Sequence, residues 1–311
     1  MRTPVIVRRV DGPMMAIRKP YSLALPGGTT LELGEHTRVM GIINVTPDSF
    51  ADGGDCFVPQ RAVDRALELE DAGADILDVG GESTRPGAPP LSVEEELRRV
   101  IPVIEQLGKR VGIPISIDTY KSSVAEAAID LGAAIVNDIS GLSYDPSLAS
   151  VVSKRGVPVI LMHNRGRSQQ MYREASYENV GREIVSELRA AIERAVNAGI
   201  AREQVVVDPG LGFAKHAHHS TAVLADLPVL NLLDRPILVG ASRKSFLESM
   251  LGARSPQNRE WGTAGAVAVA AFLGAHIIRV HDVSAHHDVV RVVDTLRLVS
   301  VERQTDLERE C

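Results

Sequence analysis

The stretch DILDVGGESTRPGAPP (75–90) decides how the chain is read. Its first six residues form an apolar run of the kind found in a strand buried on both faces. The remainder packs Glu82, Ser83, Thr84 and Arg85 between glycines and prolines. A loop that only turned the chain would need neither an arginine nor two hydroxyls at a strand end. The segment therefore reads as a buried strand that delivers a binding loop.

The same phrase recurs along the chain: a β-branched apolar run, a polar or glycine-rich turn, then an amphipathic stretch. Strands are predicted at RVMGIIN (38–44), DILDVG (75–80), PISID (114–118), AIVND (134–138), VPVILMH (157–163), VVVD (205–208), PILVG (236–240) and HIIRVH (276–281). Helices are predicted near 60–72, 92–108, 122–132, 146–155, 176–199, 218–227, 261–274 and 285–299, with apolar residues at three and four spacing, as in Val100, Val103, Ile104 and Leu107. Eight such units predict an α/β fold of the (β/α)₈ TIM barrel class in a single domain. An open doubly wound sheet is the alternative, weakened because no G-x-G-x-x-G follows the first strand. LALPGGTTLELG (23–34) reads as a short hairpin closing the barrel floor. The organisation expected is an extension over 1–36, a barrel over 37–300 and a frayed polar tail over 301–311.

Composition narrows the function classes. With 34 basic and 40 acidic residues the net charge is −6, and the basic residues are scattered, so no nucleic-acid footprint is expected. The N-terminus lacks the apolar core of a secretory signal, and the run from Gly262 to Ala275 is too short to span a bilayer, which takes about 20 residues. A cytoplasmic protein without membrane partners is expected. Cys56 and Cys311 form no C-x-x-C pair and read as free thiols.

In a closed parallel barrel, reactive groups belong at the carboxyl ends of the strands. Nearly every predicted strand ends in a polar residue: Asn44, the ESTR loop, Asp118, Asn137, His163, Asp208, the SRK segment after Gly240, and Arg279 with His281. Asp118, Asn137 and Asp208 supply two carboxylates and an amide. A flat heterocycle with an amino-pyrimidinone edge presents adjacent N–H donors, and one carboxylate accepts two of them side by side. Two other readings stay open, Asp118 as a helix cap and the carboxylates as a divalent-cation site, and spacing does not separate the three.

Arg279, His281, Lys244, Arg243 and Arg85 gather cationic groups on the same rim. In a net-negative chain they point to an anionic part of a substrate, most simply phosphate or pyrophosphate. Asn44 is a neutral oxygen ligand suited to Mg²⁺ held mainly through phosphate oxygens. HAHH (216–219) has no further ligand cluster in sequence and reads as a helix start rather than a zinc site; His286 and His287 are expected on a solvated helix face.

Eight segments carry a resemblance: MGIINVTPDSFADGG (40–54), DVGGESTRPGA (78–88), SIDTYK (116–121), IVNDISG (135–141), LMHNRG (161–166), DPGLGFAK (208–215), GASRKSFL (240–247) and RVHDV (279–283). In this order they resemble the dihydropteroate synthase family, pterin-binding transferases of folate biosynthesis. The resemblance implies a homodimeric (β/α)₈ barrel that uses Mg²⁺ and joins p-aminobenzoate to a pterin diphosphate, a target of sulfonamides. It implies a pterin set of Asp118, Asn137, Met162, Asp208, Gly240 and Lys244, and a diphosphate set of Asn44, Arg279 and His281, with Asn44 also toward the metal. Around p-aminobenzoate or a sulfonamide it implies Thr84, Arg85, Pro86, Phe213, Ser242 and Lys244. Asp118, Lys244, Arg279 and His281 are the residues implied in catalysis.

The chemistry agrees with that assignment. Loss of diphosphate from the pterin methylene leaves a resonance-stabilised cation, so the protein must stabilise the leaving charge and exclude water; no nucleophilic side chain is required. Ala241, Leu211 and the histidine tract depart from the family pattern without removing a named group. A corrinoid-linked pterin methyltransferase would have no use for ESTRPG, SRKS or RVH, and a non-catalytic paralogue would be expected to lose parts of NVTPDSF and ESTRPG, which are intact. Both loops, 45–55 and 80–90, are expected to be mobile in the free protein and ordered by pyrophosphate and Mg²⁺.

Overall fold

The computed structural model describes residues 18–46, 58–83, 87–167 and 171–310. Strands β1 (Tyr21–Ala24) and β2 (Thr30–Leu33) pair antiparallel around a short Pro26–Gly28 turn. Eight parallel strands follow: β3 (Arg38–Asn44), β4 (Ile76–Gly80), β5 (Ile115–Asp118), β6 (Ala133–Asp138), β7 (Val159–Met162), β8 (Val205–Asp208), β9 (Leu238–Val239) and β10 (Ile277–Val280). Their order is β8-β7-β6-β5-β4-β3-β10-β9. A bridge between Val207 and Ile237, with the Val207 amide donating to the Pro236 carbonyl at 2.9 Å, joins the two edges and closes the barrel. Each predicted strand coincides with an observed one.

The outer layer is α1 (Val58–Asp71), α2 (Val93–Leu107), α3 (Ser122–Asp130), α4 (Leu148–Arg155), α5 (Val180–Asn197), α6 (Ala217–Ala225), the single turn α7 (Glu248–Leu251), α8 (Glu260–Phe272) and α9 (Val283–Glu310). Local chemistry sets their ends. Ser92 accepts from the Glu95 amide at 3.2 Å and Glu94, Glu95 and Glu96 fill the first turn of α2, while Gly156 takes φ 64° to end α4. Two expectations are corrected. The last helix continues to Glu310, so residues 301–310 are helical where a tail without regular structure was expected. His286 is buried, with Nδ1 2.5 Å from the Asp282 carbonyl oxygen, because it lies on the face of α9 that packs against α8.

Period-two alternation divides each barrel strand between two environments. Val39, Leu77, Val79, Ile117, Val136, Leu161, Val207 and Val280 belong to the large core shared with the helices. The alternate residues Met40, Ile76, Ile135, Ile160, Val206, Leu238 and Ile277 form a separate cluster with Leu23, Leu31 and Leu33 of the hairpin. This second cluster is the lower interior of the barrel. The hairpin closes it from below, as expected from the sequence, and each buried leucine contributes about 1.5–3 kcal/mol. Two residues further along each strand, on the same inward face, stand Ile42, Asp78, Asn137, Met162, Asp208, Gly240 and Arg279. The pattern that fills the floor thus also aims the polar residues into the mouth.

Candidate active site

Arg279 is the structural hinge of the mouth. Its Nε donates to Asp78 Oδ2 at 2.5 Å and its Nη2 to Asp118 Oδ2 at 2.7 Å. Because β3 and β4 lie between β10 and β5 in the sheet, the second bond crosses the lumen. Asn137 joins the cluster by donating from Nδ2 to Asp78 Oδ2 at 3.0 Å, which leaves its side-chain oxygen as an acceptor. Gly80 makes room beside Asp118: a Cβ there would lie 3.3 Å from the Asp118 Cβ.

Across the mouth, Asp208 receives the Gly210 amide at 2.7 Å. Gly210 has φ 66°, and a Cβ at this position would fall 2.1 Å from the His163 carbonyl oxygen, so only glycine permits this turn to fold against the end of β7. The turn presents Phe213, whose ring centroid is 4.5 Å from Lys244 Nζ, while Lys244 donates to the Leu211 carbonyl at 2.5 Å. Met162, Ile139 and Tyr120 are buried together, with Phe213 and Tyr144 packed against them, giving an apolar wall. A cavity of about 210 Å³ is lined by Tyr172, Gly212, Lys215, His216, Ser245 and Phe246, with Phe213 and Lys244 outside its lining.

Burial shapes the charges. It pushes the Asp118 carboxyl up to about 7, against the pull of Arg279 and with further help from Asp78. Asp208 is raised for the same reason, opposed by Lys244, and burial brings Lys244 down to about 8 against the attraction of Asp208. Burial also works against the charge on Arg279, but Asp78 and Asp118 outweigh it and its pKa is raised. At the rim the Ser242 hydroxyl accepts from the His281 amide at 3.2 Å and lies 2.9 Å from His281 Nδ1. The Ser242 hydroxyl thus ties both the backbone and the ring of His281 to the end of β9.

Residues 40–281 match the family described as pterin binding enzyme. The chain is 44% identical over 271 residues to the dihydropteroate synthase of Synechocystis sp., covering 87% of this chain and 94% of that protein. The chain belongs to the dihydropteroate synthase family. Among solved structures of dihydropteroate synthases, that of Xanthomonas albilineans with 4-aminobenzoic acid superposes with a TM-score of 0.83 at 41% identity, over 90% of this chain and 99% of the other. The Xanthomonas albilineans enzyme in complex with 7,8-dihydropteroate gives a TM-score of 0.80 at 39% identity, over 89% and 98%.

Of the residues that the dihydropteroate synthase resemblance picks out, Asp118, Asn137, Met162, Asp208, Gly240, Lys244 and Arg279 converge on one mouth, with Ser242 and His281 paired at its rim and Asn44 ending β3 beside Gly80. Thr84, Arg85 and Pro86 lie outside the described residues, as does most of the 45–55 loop. Arg243 is not a rim cation: its Nε binds Glu260 Oε2 at 2.8 Å, and it turns toward α8. His163 is also withdrawn, buried between Lys215 Nζ at 2.8 Å and Glu187 Oε2 at 3.1 Å. Among the described residues no group of three or more histidines, cysteines or acids could hold a metal ion, the tract at 216–219 included. The residue overlooked in sequence is Asp78. An aspartate inside an otherwise apolar parallel strand was the available signal, since a buried carboxylate is tolerated only with partners.

Proposed function

We propose that the chain condenses p-aminobenzoate with (7,8-dihydropterin-6-yl)methyl diphosphate to give 7,8-dihydropteroate and diphosphate. The C–O bond from the pterin methylene to diphosphate breaks, the amine nitrogen forms the new C–N bond, and the amine gives up one proton. The observation that carries this reading is the pair Asp118 and Asp208, two largely buried carboxylates facing one lumen that Met162, Ile139 and Phe213 wall on one side. Such acceptors suit the N–H edge of a pterin and favour positive charge developing on its ring. Asn137 adds an acceptor and Lys244 a donor. Arg279 and His281 are assigned to the leaving anion, and the mouth keeps water from the cation. Phe213, Ser242 and Lys244 are assigned to p-aminobenzoate together with Thr84, Arg85 and Pro86.

Mg²⁺ fits this site in a restricted way. Asn44 offers one neutral oxygen at the carboxyl end of β3, and no acidic cluster surrounds it among the described residues. That donor set suits an ion bound mainly through diphosphate and water. Bound there, Mg²⁺ would neutralise charge on the leaving group; Arg279 and His281 do the rest from the protein side.

The active form is proposed to be a homodimer in the cytoplasm. Trp261, 87% exposed, with Val269 and Phe272 makes one apolar stripe on α8, and Val292, Leu296 and Val299 make another on α9. Two such stripes on packed neighbouring helices suit a second copy of the chain across a twofold axis. Among the described residues no helix is long and apolar enough to cross a membrane.

Calorimetric titration of a bare pterin tests the assignment of the ring site. Tight binding to the wild type and loss of about 1.5–3 kcal/mol in Asp208→Asn are expected; equal affinity in both would overturn it.

A further inference from the structure

Asp78 is wholly buried, and its two oxygens are used unequally. Oδ2 accepts from both Asn137 Nδ2 at 3.0 Å and Arg279 Nε at 2.5 Å, whereas Oδ1 has no hydrogen-bond partner. A buried carboxylate with two donors on one oxygen is costly, and its position has to be explained by what it holds. It holds the inner end of the Arg279 guanidinium. The outer end, Nη2, donates at 2.7 Å to Asp118 Oδ2. That is one of the two carboxylates assigned above to the pterin N–H edge, on which this inference rests.

The two uses of Asp118 compete. A ring taking both Asp118 oxygens edge-on must either displace the Nη2 bond or share Oδ2 with it, and its body must enter the lumen that the guanidinium crosses. Asp78 stands one inward-facing layer below Asp118, pairing in register with Ser116 rather than with Asp118 itself. A ligand at the mouth therefore loosens the outer contact of Arg279 and leaves the inner one in place.

We propose that Asp78 is a positioning residue, the pivot on which Arg279 turns from Asp118 to the diphosphate when a pterin ring occupies the site. Arg279 is held by a substitute anion until the ring arrives, and the ring's arrival releases its Nη donors for the leaving group. Ring recognition and anion binding are thereby coupled through Asp118, Arg279 and Asp78. Asp78 also fixes the Asn137 amide with its oxygen toward the ligand, so one carboxylate sets both partners. By linkage, a diphosphate that draws Arg279 away strengthens pterin binding by the same factor.

The test titrates inorganic pyrophosphate with Mg²⁺ into the whole protein, with and without a saturating bare pterin. In the wild type pyrophosphate should bind about tenfold more tightly with pterin present, within the usual range of such couplings. Asp118→Asn should not bind pterin well, but without pterin it should bind pyrophosphate as tightly as the pterin-loaded wild type, because Arg279 is already released. Asp78→Asn, checked for folding by its thermal melt, should bind pyrophosphate equally with and without pterin. Should that variant not fold, the Asp118→Asn comparison still decides. Normal pterin binding by the wild type with no gain in pyrophosphate affinity, either in the pterin-loaded wild type or in pterin-free Asp118→Asn, overturns the pivot alone. Failure of the wild type to bind pterin, or unweakened pterin binding by Asp118→Asn, overturns the ring-site assignment and the pivot with it.

Discussion

Pterin affinity should follow a narrow bell against pH, with limbs that two substitutions remove separately. Asp118 titrates at about 7 because burial raises it, opposed by Arg279 and reinforced by Asp78, whereas Lys244 titrates at about 8 because burial lowers it, opposed by Asp208. The ring's N–H donors require the ionised carboxylate. One unit below the Asp118 value only about a tenth of the sites are ionised, so the Kd should rise about tenfold per unit on the acid side. Above the Lys244 value the ammonium is lost and affinity falls again. Stability runs the other way. The Asp118 pKa is raised in the fold from its ordinary 3.8, so the folded state holds that proton more tightly than the unfolded chain. Its stabilising effect is complete below the unfolded value and is lost as the pH climbs toward about 7. Asp118→Asn should therefore raise Tm in mildly alkaline buffer while weakening pterin about 10- to 150-fold, the equivalent of about 1.5–3 kcal/mol. Calorimetry across the range, corrected for the ligand's own titration measured free in solution, reads both limbs. An acid limb that persists in Asp118→Asn, or an alkaline limb that persists in Lys244→Met, would refute the assignment of charges.

Alanine at His281 should spare bare pterin but slow turnover of the diphosphate ester by up to about 3–4 kcal/mol, read from kcat against pterin Kd, and alanine at Arg279 should slow turnover likewise. A sulfonamide should bind far more tightly to protein saturated with pterin, Mg²⁺ and pyrophosphate than to apo protein; equal affinities in the two titrations would mean its pocket is preformed. Leu23→Ala in the hairpin should cost about 2–5 kcal/mol in denaturant unfolding and leave kcat unchanged, since it lines the floor and not the mouth. Trp261→Glu should shift the protein toward monomer in sedimentation if the α8 and α9 stripes form the dimer face.

Much of the fold was legible because a buried parallel strand writes itself as an unbroken apolar run, as VVVD (205–208) and VILM (159–162) do. The weakest case is β9, only Leu238–Val239, where Pro236 cannot donate to a ladder and closure rests on a bridge through Ile237. Strand ends located the site, since Asp118, Asn137, Asp208 and Arg279 share one inward face. Partner choice was not legible. Arg243 and Lys244 are adjacent in sequence, yet the positive φ of 58° at Arg243 turns its side chain to Glu260, away from the lumen that Lys244 enters. His163 looks like a rim residue in sequence, but Lys215, 52 positions later, draws it into the wall. Asp78 was hidden for the opposite reason, lying inside a strand whose apolar neighbours defined it as core.

The claim that this mouth joins its two substrates by diphosphate loss is tested most directly by following product. Purified protein is incubated with Mg²⁺, the pterin diphosphate and labelled p-aminobenzoate, with Asp208→Asn as the control. Labelled dihydropteroate, formed one for one with diphosphate and suppressed in the variant, is the expected result. No labelled product from active substrates, or equal product from Asp208→Asn, would contradict the account.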